Sequence, residues 1–166
     1  MKVIITEEQL RQIIESTGDG NLMDLTKIYE VGVPYNKWDS YFLFMNKKNG
    51  GKYDGYYIDS DLDLRKYSMD DFSVDYTFDY EADRPFGLEY LVRVNGFLHL
   101  RNSEVTDLSN LKYVERYLNI NNTKIDRLPE LEYVGAGISM RKTPLAQRMS
   151  EDEIKNNIEV KGEIYL

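Results

Sequence analysis

The sequence predicts an α/β protein: a short solenoid of parallel strands with a twenty-residue period, capped by an N-terminal helix and a β-hairpin region. Three observations predict it. Residues 98–114 ("LHLRNSEVTDLSNLKYV"), 118–134 ("LNINNTKIDRLPELEYV") and 138–154 ("ISMRKTPLAQRMSEDEI") repeat one apolar pattern. The start of each unit alternates apolar and polar residues, the period of a half-buried strand. Near the N-terminus, Thr6 and Gln9 form a T-x-x-Q capping box, which marks the start of a helix.

Taken in order, that first helix places Ile5 and Leu10 as a hydrophobic staple. Leu10, Ile13 and Ile14 form its apolar stripe, and Gly18 stops it. "SYFLFM" (residues 40–45) reads as a strand, and "NKKNGGK" (46–52) as the hairpin turn after it. A further strand is expected at 56–58. Residues 1–60 thus form an α/β cap and 61–166 the array. Its regular units are 98–117, 118–137 and 138–157, with degenerate units near 62–77 and 78–97. The second of these includes the end of a strictly alternating stretch, residues 73–80.

In register, Leu98, Leu118 and Ile138 align, followed by Leu100, Ile120 and Met140. Ser103, Thr123 and Thr143 come next, then Val105, Ile125 and Leu145. Leu108, Leu111, Tyr113 and Val114 match Leu128, Leu131, Tyr133 and Val134, and these near-helical steps are expected to carry the return. In the same frame, Ile158 and Val160 fill the next strand. One such unit cannot bury its own apolar face, so units stack with strands in parallel. Ser150 and Glu153 supply a second capping box for a short helix near the far end.

Over residues 78–166 the pattern resembles the leucine-rich repeat, with Ser103, Thr123 and Thr143 where that family prefers asparagine and Asp83 in the degenerate unit. The resemblance implies a non-catalytic scaffold that binds a protein on its concave sheet. The outward residues by register are Phe97, His99, Arg101 and Asn102, then Tyr117, Asn119, Asn121 and Asn122, then Ser139 and Arg141. Glu159 and Lys161 continue the face. The opening "MKVIITEEQLRQIIE" is similar to leader helices of tailed-bacteriophage proteins. That similarity implies a phage-encoded accessory protein acting in the host cytoplasm.

The formal charge is -8, and residues 59–83 carry nearly all of it. Asp59, Asp61, Asp63, Asp70, Asp71, Asp75, Asp79, Glu81 and Asp83 face only Arg65 and Lys66 there. Such a field repels nucleic acid and argues against direct binding to it. The same segment suggests an alternative: an acidic inhibitor of a host nucleic-acid-binding defence complex, similar to an anti-CRISPR protein. A self-associating virion component is a third reading.

Cysteine is absent, which excludes disulfides and thiol chemistry. No apolar run reaches the length of a membrane span, and the opening lacks the pattern of a secretory leader. His99, the single histidine, has no nucleophile and acid spaced around it as a triad requires. "DSDLD" (59–63) has the look of a calcium loop, but Leu64 stands where the EF-hand needs glycine. "NKKNGGK" lacks the phosphate-loop spacing. The expectation is therefore a protein without catalytic residues, metal or cofactor, bound to a protein partner and to neither nucleic acid nor membrane.

Overall fold

The computed structural model describes residues 21–30, 32, 35–65 and 88–166. Their strands form two ladders, each parallel throughout. The first contains β1 (Leu22–Asp24), β2 (Gly55–Ile58), β4 (Leu91–Val94), β6 (Tyr113–Val114), β8 (Tyr133–Val134) and β10 (Glu159–Val160). The second contains β3 (Leu62–Asp63), β5 (Leu98–His99), β7 (Leu118–Asn119), β9 (Ile138–Ser139) and β11 (Ile164–Tyr165). From β4 onward, each turn of chain gives one strand to each ladder before the chain returns to the first. Helix α1 (Thr26–Glu30), a 3₁₀ turn (Tyr35–Lys37) and helix α2 (Trp38–Lys48) connect β1 to β2, and α3 (Glu151–Asn157) connects β9 to β10.

The ladders are stapled by rows of like residues. Val94, Val114, Val134 and Val160 pair along the first, and Leu62, Leu98, Leu118, Ile138 and Ile164 along the second. Val94, Val114, Val134, Leu98, Leu118 and Ile138 are all 0% exposed. Each such side chain contributes about 1.5–3 kcal/mol by leaving water. Leu100, Ile120 and Met140 continue the core, and Val105, Ile125 and Leu145 line the return.

The corners explain the choice of polar residues. At the first, Gly135 passes so close to the preceding unit that a Cβ would lie 1.8 Å from the Glu115 carbonyl oxygen. At the second, Asn102, Asn122 and Lys142 adopt left-handed backbone, with φ of 62°, 54° and 59°. Asparagine tolerates this conformation because its short amide bonds locally. Just inside, Thr123 Oγ1 donates to the Ile120 carbonyl at 2.8 Å, and Thr143 Oγ1 to that of Met140 at 2.7 Å. Ser103 occupies the same place, yet its buried hydroxyl has no partner.

Several expectations are corrected. Residues 40–45 belong to helix α2, not to a strand. Trp38, Tyr41, Phe42 and Met45 stand at i, i+3, i+4 and i+7, and all four pack on the core. Residues 46–52 are the end of that helix and its exit, not a hairpin turn. Gly50 and Gly51 take φ of 79° and 70°, and Asn46 exchanges two hydrogen bonds with the Tyr53 backbone. β2 does form as expected, but beside a parallel strand.

The expected near-helical return at 128–134 ends instead in β8, part of a ladder the repeat pattern did not announce. Ile158 does not pair in frame with Ile138: Ile164 does, because α3 lengthens that unit by six residues. Glu159 accordingly lies in the first ladder, beside Tyr133. β3 pairs directly with β5, so one step from Leu62 to Leu98 replaces the two expected from the degenerate units near 62–77 and 78–97. The alternating stretch 73–80 and the N-terminal helix lie outside the described residues. The capping box of α3 forms as expected, with the Glu153 N–H on Ser150 Oγ at 3.3 Å and the Ser150 N–H on Glu153 Oε2 at 2.7 Å. No helix among the described residues is long and apolar enough to cross a membrane.

Candidate functional site

The second ladder carries most of the predicted contact residues on its outward face, because register fixes which side chains share a row. Asp63, His99, Asn119, Ser139 and Tyr165 pair in sequence along the central row. Two residues N-terminal to each lie Asp61, Phe97, Tyr117, Gly137 and Glu163. Two residues C-terminal lie Arg65, Arg101, Asn121 and Arg141.

A hydrogen-bonded chain crosses the centre of this face. The Arg141 N–H donates to Asn121 Oδ1 at 2.6 Å, and the Ser139 hydroxyl donates to the same oxygen at 2.8 Å. The Asn121 N–H donates to Asn119 Oδ1 at 3.0 Å, and Asn119 Nδ2 lies 2.7 Å from His99 Nε2. Backbone N–H groups cannot accept, so both amides have one possible orientation. Asn119 Nδ2 is then the donor, His99 Nε2 the acceptor, and the imidazole is neutral with its proton on Nδ1. Burial, followed by Arg65 and Arg101, holds the His99 pKa below its ordinary value against the opposing pull of Asp63.

The aromatic side chains are braced. Phe97 meets the His99 ring edge-on, with centroids 5.8 Å apart at 76°. The ring of Tyr117 lies across Gly137, where a Cβ would stand 3.1 Å from it. Arg141 sits over the Tyr165 ring at 4.9 Å. Arg101, Asn102, Asn122 and Arg141 are exposed, and Phe97, His99, Tyr117 and Asn121 half-buried. Asn119 and Ser139, expected to face a partner, are only 8% and 3% exposed. Their polar atoms are covered by neighbours in the network, so they orient the face rather than present it.

Of the acidic segment, Asp59, Asp61 and Asp63 lie within the described residues, and each has an internal role. Asp59 Oδ1 accepts from Asn95 Nδ2 at 2.9 Å, and Asp61 Oδ1 accepts from the Phe97 N–H at 3.0 Å. Asp63 takes a forked pair of bonds from Arg65, which holds its carboxyl below the usual range. Asp70, Asp71, Asp75, Asp79, Glu81 and Asp83 lie outside the described residues.

Sequence reasoning missed the outward face of the first ladder. Tyr57, Arg93, Tyr113, Tyr133 and Glu159 form one row there. Arg93 lies over Tyr113 at 4.5 Å, and Tyr113 stacks on Tyr133 at 4.8 Å and 10°. Burial, Asp24 and Asp59 push the Tyr57 phenol up to about 12. The available signal was the identical placement of Tyr113 and Tyr133 in their units.

A cavity of about 500 Å³ lies where α3 meets the return segments, between Leu128, Met140, Leu145 and Ile154. Met140 and Ile154, both 0% exposed, form its floor, and the exposed Asp126, Arg127, Arg148 and Asn157 form its rim, so it opens to solvent. Among the described residues, no group of three or more histidines and acids is arranged to hold a metal ion. No protein-family model, curated protein or solved structure matches the chain.

Proposed function

We propose that the chain is a non-catalytic protein-interaction module, a short solenoid of leucine-rich-repeat type that reads a protein partner on the face of its second ladder. The observation that carries this reading is the braced face itself. Phe97, Tyr117, Arg101 and Arg141 stand around a hydrogen-bonded centre whose amide orientations are fixed. Side chains held in one conformation, as Phe97, Tyr117 and Arg141 are, lose little entropy on contact, which suits recognition. The setting is that of a phage-encoded accessory protein in the cytoplasm of its host, as the N-terminal similarity implies.

The test is capture from host lysate, followed by the binding of the captured protein in pure form. Replacing Arg101, Tyr117 and Arg141 together by alanine should weaken that binding at least a hundredfold while leaving the thermal melt nearly unchanged. Neutralising Asp70, Asp71, Asp75 and Asp79 should leave it intact. The opposite pattern would move the contact to the acidic segment, and a triple variant that binds as tightly as the wild type would refute the reading.

A further inference from the structure

We infer that Arg101, Asn121 and Arg141 form an edge that reads anions, fitted to an acidic peptide segment laid across the strands of the second ladder. The inference rests on the protein-binding reading and names the chemistry of the partner. Its basis is a count of donors and acceptors. Asn121 Oδ1 already accepts two hydrogen bonds, from Ser139 and from the Arg141 backbone. Its exposed capacity is therefore its NH₂ group, a donor. Arg101 and Arg141 are exposed, and guanidinium groups only donate. Among the described residues neither has an ion-pair partner, and Arg141 is steadied over the Tyr165 ring. The side chains of Arg101, Asn121 and Arg141 thus offer N–H donors and no free acceptor. A neutral polar partner brings donors of its own and matches such a row poorly, whereas carboxylates accept only.

Spacing and charge narrow the class further. Neighbouring rungs are ~4.8 Å apart, which places Arg101 and Arg141 on the order of 10 Å apart at the backbone. Carboxylates at alternate positions of an extended peptide are about 7 Å apart, within reach of two long side chains that lean inward over Asn121. Forked guanidinium–carboxylate pairing then fixes register. Nucleic acid carries the same acceptors, but its phosphates would also meet Asp61 and Glu163 on the opposite edge of the face. With a charge on every nucleotide, a nucleic acid would also be repelled by the formal charge of -8 more strongly than a peptide with a few carboxylates.

The experiment uses the full chain and fluorescence anisotropy. The probes are a labelled peptide of alternating glutamate and tyrosine, the same peptide with glutamine for glutamate, and a labelled single-stranded oligonucleotide. The glutamate peptide should bind, weaken at least tenfold on raising salt from about 50 to 300 mM, and weaken at least tenfold in an Arg101→Gln/Arg141→Gln variant. Equal binding of the glutamine peptide, stronger binding of the oligonucleotide, or an unaffected double variant would each overturn the inference. Failure here is separable from failure of the parent reading. If the captured partner is released by Tyr117→Ala and kept by the double arginine variant, the face reads protein without the anion edge. If both variants keep it, the parent reading falls.

Discussion

Ser103, Thr123 and Thr143 occupy one position in three successive units, and all three are buried. Two of the hydroxyls bond the carbonyl three residues back, and Thr143 Oγ1 also accepts from the Ala146 N–H at 3.0 Å. The third has no partner. A buried hydroxyl is neutral or helpful when paired and costs about 1–3 kcal/mol when it is not. Ser103→Ala is therefore expected to hold stability constant or raise it by about 1 kcal/mol, whereas Thr143→Ala should lower it by about 1–2 kcal/mol. Urea unfolding of the two variants separates these outcomes, and equal losses would contradict the assignment. The polar character of this position was legible from the repeat alone. The difference between its members was not, because it depends on which backbone groups each hydroxyl can reach.

Helix α2 is held to the first ladder at Asp39. Its Oδ1 accepts from the Tyr56 hydroxyl at 2.9 Å and its Oδ2 from the Glu89 N–H at 2.9 Å. Burial outweighs these bonds and raises its pKa to about 6, from 3.8. The protonated acid is thus favoured more in the folded chain than in the unfolded one. Its contribution is fully present below the unfolded pKa and is lost as pH rises through about 6, an effect of about 3 kcal/mol. The stability of the wild type relative to Asp39→Asn should fall by roughly that amount between pH 4 and 7. A difference that stays flat with pH would show that the carboxyl titrates normally. Elements of this end were the least legible in the sequence. The apolar run at 40–45 fits either period, and only the inclusion of Trp38 reveals the helical spacing. The first ladder escaped notice for a related reason: β6 and β8 are two residues long, too short to show alternation.

Across the whole molecule, the twenty-residue echo accounts for the pairing of β5, β7 and β9, and for the buried rows behind them. It fails at both ends of the array: α3 sets Ile164 opposite Ile138, twenty-six residues on, and Leu98 stands opposite Leu62, thirty-six residues on. Units that pair in a constant register are interchangeable in principle. Deleting residues 118–137 would bring Leu98 opposite Ile138 with every apolar row intact. That variant should fold cooperatively, with a urea m-value lower by about one-eighth, in proportion to the surface removed. A chain left unfolded in buffer would show that the middle unit holds contacts its neighbours cannot replace.

One consequence of the face concerns observation rather than energy. The chain has a single histidine, and that residue stands at the end of the chain of amides, between Asp63 and Asn119. A nuclear magnetic resonance spectrum of the imidazole therefore contains one spin system and needs no assignment. Its nitrogen shifts distinguish the Nδ1–H tautomer directly, and its titration midpoint responds to charge brought near Arg65 and Arg101. An anion docked on that edge would raise the midpoint, and an apolar ligand would not. The protein thus carries a built-in, label-free probe at the surface where its partner is sought.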